Sequence, residues 1–213
     1  MAANIPNIIP SEGLGTSLAA ATLAAFLCVY GALFVSAAWD FAPVEPRYAA
    51  VARGKIDTTF ELDGLIQALR ASPWRADLSR AAFVQMLAAQ QIGLKSLRAT
   101  TRLTAARRDL RLGLRAAPSD AYAWTRLSIS ELHLGDTTAA ARALSLALQI
   151  APGERKLTGL QFDLAVALWP ALDAQGRAAI HRRLVAAGRW PGMKDVLSGN
   201  SAEALRTRLL VVP

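Results

Sequence analysis

Two prolines 34 positions apart, Pro118 and Pro152, restrict the fold of this chain more than any other feature. Proline lacks the amide proton and clashes with the preceding turn, so a helix stops at or before the residue ahead of it. Between them, Ser119 and Asp120 can each accept from the free amides of a helix start, and Gly135–Asp136 divides the interval in half. Tyr122, Trp124, Leu127, Ile129 and Leu132 make the first half apolar. Ala140, Leu144 and Ala147 give the second half small contacts that let two backbones approach. The interval predicts two antiparallel helices of about four turns each. A hairpin of this size cannot bury its apolar faces alone, so further hairpins are expected beside it.

A second constraint lies near the N-terminus. Leu18–Trp39 runs for 22 residues without charge or proline, about 33 Å as a helix, against a bilayer core of roughly 30 Å. Trp39 stands where an interfacial aromatic ring sits, and Tyr30 is a second amphipathic aromatic. Asp40, Pro43 and Pro46 are expected to end the helix. The reading is a retained membrane anchor over residues 18–39, behind a tail of residues 1–17. The alternative is a cleaved signal peptide, because Ser36, Ala37 and Ala38 resemble a cleavage site. A signal peptide needs a basic start and an apolar core of about 7–15 residues. Residues 1–17 carry no Lys or Arg, and the run is longer.

Residues 40–56 read as a juxtamembrane linker and residues 57–210 as one helical domain. Leu and Ala dominate the domain, and no sustained alternation of β-branched residues occurs, so the fold class is all-α. Thr58 and Glu61 have capping-box spacing ahead of Leu62, Leu65, Ile66 and Leu69. Asp77 is the expected cap of a helix carrying Phe83, Met86 and Leu87, and Thr101–Ala117 forms the next. Pro73 and Pro118 lie 45 residues apart, which leaves the register of that pair open. Beyond Pro152, an apolar helix from Leu157 ends at Trp169–Pro170. Asp173 caps another helix, and Asn200 with Glu203 opens the last. The single cysteine, Cys28, excludes a disulfide within the chain.

Trp124, Leu127, Gly135, Ala140, Leu144, Ala147 and Pro152 resemble the landmark set of a tetratricopeptide repeat. Ser128 and Glu131 depart from it, and Glu131 is expected to lean outward. The N-terminal apolar helix, the Ala121–Leu127 segment and the stretch Phe162–Leu172 together resemble small tetratricopeptide-like membrane proteins associated with bacterial exopolysaccharide biosynthesis. The resemblance implies a single transmembrane helix followed by a solenoid of helical hairpins, seated in the bacterial inner membrane. It also implies a scaffold for protein partners in an envelope assembly. In tetratricopeptide domains the first helix of each pair lines a concave groove. Carried onto this chain, that role falls to Tyr122, Thr125, Ile129 and Leu132, with Gln91, Lys95 and Arg98 from the preceding pair. Such a groove suits an extended peptide bearing an acidic group.

The formal net charge is +8, yet no zinc-finger spacing, aromatic ribonucleoprotein signature or glycine-clamp loop accompanies it, so nucleic acid is not the expected partner. Seven basic residues fall between Lys95 and Arg115 against one acid, Asp109. Arg107, Arg111 and Arg115 stand at i, i+4 and i+8, with Arg108 beside them. One reading is a solvated face opposite Leu103, Leu110 and Leu114. The other is contact with anionic lipid or an acidic partner. His133 and His181 lack neighbouring ligands at metal spacing. No nucleophile elbow, phosphate loop or dinucleotide fingerprint occurs, so neither catalysis nor a cofactor is expected. Arg47, Arg53 and Lys55 follow the anchor while no cation precedes it. The positive-inside rule then favours a cytoplasmic domain, with a periplasmic one as the alternative.

Overall fold

A computed structural model of the protein describes residues 12–55 and 59–211, and every regular element among them is helical. The chain divides into two compact units, Met1–Glu45 and Pro46–Pro213.

The first unit holds α1 (Glu12–Phe41), longer at both ends than the 18–39 expected from its apolar stretch. No proline falls between residue 12 and Pro43, so nothing breaks the ladder earlier. Its segment Ala19–Ser36 has a mean hydropathy of 2.0 and is long and apolar enough to cross a membrane, properties that a signal sequence shares. The Thr22 and Ser36 hydroxyls donate to Ala19 O and Leu33 O within the helix. That satisfies them without water, as hydrocarbon would demand. Phe26 and Tyr30 stack with ring centres 6.3 Å apart.

The second unit contains α2 (Val44–Ala52, which begins two residues before the unit boundary), α3 (Thr59–Ala71), α4 (Asp77–Ile92), α5 (Leu97–Ala116), α6 (Ala121–His133) and α7 (Thr137–Ile150). Then follow α8 (Thr158–Leu168), α9 (Ala174–Ala187), the short α10 (Lys194–Ser198) and α11 (Asn200–Val211). The segment expected as a linker, 40–56, thus contains a helix. Pro46 sits in its first turn, where the missing amide had no partner to lose.

Helices α3, α5, α6, α7 and α8 each stop two residues before Pro73, Pro118, Gly135, Pro152 and Pro170 in turn. At the prolines the preceding residue is driven out of the helical region. At Gly135 the backbone takes φ +87°, which lets the chain reverse. Asp120, Asp136 and Asp173 accept from the amides of Ala123, Ala139 and Gly176, capping α6, α7 and α9. Two expectations fail. Asp77 is the first residue of α4, not its cap, and accepts from the Ser72 hydroxyl at 2.6 Å. The helix expected from Thr101 starts four residues earlier, because Ser96 caps it by accepting from Ala99 N. Thr58 lies outside the described residues.

From α3 to α8, helices consecutive in sequence pack on one another. Beyond that the order changes, since α7 also packs on α9 and α11 on α8. Leu110, Leu114, Leu127 and Ala143 make one core across α5, α6 and α7. Leu144, Phe162, Ile180 and Leu205 make a larger one across α7, α8, α9 and α11. Trp124 only borders the first core: it is partly buried, and its indole N–H donates to Pro118 O at 2.8 Å.

Candidate partner-binding groove

A recess of about 380 Å³ opens along α4, α6 and α8. Phe83, Met86, Leu87 and Gln90 of α4 line one side. They are spaced three and four apart, which puts them on one helix face. On α6, Tyr122, Thr125, Arg126, Ile129 and His133 repeat that spacing, and Leu157 with Leu160 completes the far side. No Asp or Glu is among the described lining residues.

The floor is rigid and polar. Thr125 is fully buried; its hydroxyl donates to Ala121 O and accepts from Gln161 Nε2 at 3.1 Å. That bond ties α6 to α8 and orients both.

The rim alternates cations and rings. Arg80 lies 5.0 Å over the Tyr48 ring, Tyr48 meets Phe83 edge-on at 6.3 Å, and Arg126 lies 4.3 Å over Phe83. Stacking of this kind holds a guanidinium beside apolar surface without a carboxylate partner. Burial, then the charge of Glu154 and a hydrogen bond to it, push the Tyr122 hydroxyl above its ordinary pKa. It therefore stays a neutral phenol near pH 7. The groove can accept apolar side chains and offers Arg126 to a carboxylate.

Of the residues assigned to a groove from the sequence, Tyr122, Thr125 and Ile129 line this recess. Leu132 instead packs against the core of α7, α8 and α9. Gln91, Lys95 and Arg98 are exposed at the end of α4 and the start of α5, outside the lining. One step along a helix turns a side chain by about 100°, so Gln90 lines the recess while Gln91 does not. Phe83, Met86, Arg126 and Leu160 were missed by sequence reasoning. The spacing of Phe83, Met86 and Leu87 was visible, but not the direction of that face.

The basic residues of α5 divide into two sets. Glu131, expected to lean outward, is 1 % exposed, with Arg111 Nη2 at 2.6 Å and Arg107 Nη1 at 3.5 Å. A carboxylate can be buried between α5 and α6 because those two arginines neutralise it. Asp109, also buried, accepts from Arg70 Nε and Gln85 Nε2, each at 2.7 Å, which joins α3, α4 and α5. Arg102 grips Asp63 of α3 through two bonds of 2.6 and 3.0 Å. Arg108 reaches Asp109 only at 3.6 Å, with its side chain 68 % exposed, and Arg115 is exposed with no carboxylate partner among the described residues.

A larger cavity of about 660 Å³ lies beside α9 and α11, lined by Trp169, Arg177, His181, Leu184, Leu197 and Leu209 among others. Arg177 lies over Trp169 and donates to its carbonyl, and Arg206 pairs with Glu203. Neither histidine belongs to a cluster of three metal-ligating residues among the described residues. Compared with known proteins, the chain matches no family model, no curated protein and no solved structure.

Proposed function

We propose that this protein is a membrane-anchored helical scaffold of tetratricopeptide-like hairpins whose α4–α6–α8 groove holds an extended segment of a partner protein. The supporting observation is the groove itself. Three helices from successive hairpins each present one face to it, its floor is fixed by the Thr125–Gln161 bond, and its rim carries stacked arginines. Apolar side chains of the partner would enter between Phe83, Met86 and Ile129, and a carboxylate would meet Arg126. The role is binding, without catalysis or a bound cofactor. The residues resembling exopolysaccharide-associated proteins suggest an envelope polysaccharide assembly in the bacterial inner membrane as its setting, with α1 as the single span.

The test is photo-crosslinking in cells from a reactive amino acid placed at Leu87 or Leu160, compared with one at Thr104 on α5. A discrete partner captured from the two groove positions, and lost when Ile129→Glu is added in a chain that keeps its helicity, supports the reading. Equal capture from all three sites, or capture unaffected by Ile129→Glu, would sink it. The partner's identity decides the polysaccharide setting.

A further inference from the structure

We infer that the outward face of α5 is a second docking surface, one that lies on an anionic lipid headgroup layer with Leu97 as an apolar anchor. This rests in part on the proposed membrane anchor, which holds the face near lipid.

Positions Leu97, Thr101, Thr104, Arg108, Arg111, Leu112 and Arg115 fall within roughly a third of the circumference of α5 at about 100° per residue. The opposite side carries the buried Ala99, Leu103, Ala106, Leu110 and Leu114. The outward stripe is therefore set by the core and cannot rotate away. Lys95 and Arg98 flank its first turn. The only acid on α5, Asp109, points into the fold, where Arg70 and Gln85 engage it. Arg107 and Arg111 are drawn toward Glu131, which leaves Lys95, Arg98, Arg108 and Arg115 as the cations directed at solvent.

Leu97 distinguishes this surface from an ordinary solvated one. It is 83 % exposed, with Lys95 and Arg98 on either side of it in sequence. Water gains nothing from a bare leucine there, whereas a headgroup layer accepts the apolar side chain and pairs the cations with phosphates. Each cation near an anionic leaflet is worth about a fivefold gain in partition, so four act together strongly. The attraction fades within a Debye length and weakens with salt. An acidic protein would satisfy the arginines but has no equal use for the exposed leucine. α1, apolar over Ala19–Ser36, raises the local concentration of lipid at α5 if it spans the bilayer.

The experiment uses the full chain in lipid nanodiscs, with Cys28→Ser and a fluorescent donor on Thr104→Cys, against an acceptor-labelled lipid. A donor on Ser198→Cys serves as the reference position. Energy transfer from position 104 should rise when phosphatidylglycerol replaces part of the phosphatidylcholine, and should fall back at high salt. Lys95→Gln/Arg98→Gln/Arg108→Gln/Arg115→Gln should abolish the gain, and Leu97→Ser should reduce it severalfold. None of these five residues makes the Glu131 pair, and helicity is checked by circular dichroism. Equal transfer in neutral and anionic discs overturns the inference, as does a gain that survives the fourfold variant. Salt-sensitive binding of polyglutamate, lost in that variant while discs show no gain, overturns it in favour of an acidic polypeptide. A chain that leaves the discs at high salt ends the anchor reading alone. Flotation with phosphatidylglycerol vesicles then decides the face: flotation lost in the fourfold variant supports it, and no flotation overturns it.

Discussion

Asp109 and Glu131 show how a single residue can organise helices that are apolar elsewhere. Removing the Asp109 carboxylate leaves Arg70 and Gln85 facing a buried void, and breaking a buried pair of this kind costs about 3–5 kcal/mol. Asp109→Ala should lower thermal stability accordingly, and Arg70→Met/Asp109→Leu should recover most of it; equal melting of wild type and Asp109→Ala would refute the assignment. Trp124→Ala should cost less than a fully buried tryptophan would, about 1–3 kcal/mol, because the ring is only partly buried and bonded to Pro118 O. Its importance was legible from the repeat spacing; its depth was not. Asp63 carries the acid-sensitive contribution. Its hydrogen bond to Arg102 holds the carboxyl below the ordinary value, and partial burial opposes this. A depressed folded pKa contributes stability above the unfolded value of about 4, lost as pH falls through the folded one. The pair is largely exposed, so the effect is small. The melting difference between wild type and Asp63→Asn should be present near pH 7 and vanish in stronger acid.

Element boundaries were the most readable layer, because caps and breakers act locally. Asp120, Asp136, Asp173 and the prolines needed only their immediate neighbours to take effect. Ser96 was overlooked as a cap since Gly93 and Lys95 obscured where the apolar period of α5 resumes. Contacts between elements were less readable. Gly176 of α9 sits where a methyl would strike the Ser145 hydroxyl of α7 and come within 3.0 Å of Leu172 Cδ2. Gly176→Ala should therefore destabilise by about 1–3 kcal/mol despite the better helix propensity of alanine. Adding Ser145→Gly should return part of that loss, and a stabilised single mutant would show that the two helices do not approach so closely. Arg183, 2 % exposed, donates to Ala151 O and Glu154 O, closing the C-terminal end of α7 from a distant helix. Desolvation pushes its pKa down. Nothing in the local sequence marks that arginine as different from Arg182.

At the scale of the molecule, the proposed topology makes two predictions. A retained anchor leaves residues 1–38 on the mature chain and holds it in membranes through alkaline extraction; N-terminal sequencing that begins beyond Ala38 would establish a cleaved leader instead. A cysteine at Ser198 in a Cys28→Ser background should resist an impermeant thiol reagent on intact spheroplasts if the domain is cytoplasmic, and labelling without lysis would place it outside. Sequence alone determined the helical class, the apolar span and most helix ends, because periodicity, chain stiffness and capping operate within a few residues. Only the tertiary structure decided which face of α4 meets α6, which set Gln90 into the groove and Gln91 outside it. It also decided that Glu131 is buried while Arg108 is not. Those outcomes depend on how two helices rotate about their own axes when they pack. A rotation of one residue exchanges core for solvent, and the partners that fix it lie 20 or more positions away, Glu131 to Arg111 and Asp109 to Arg70 among them.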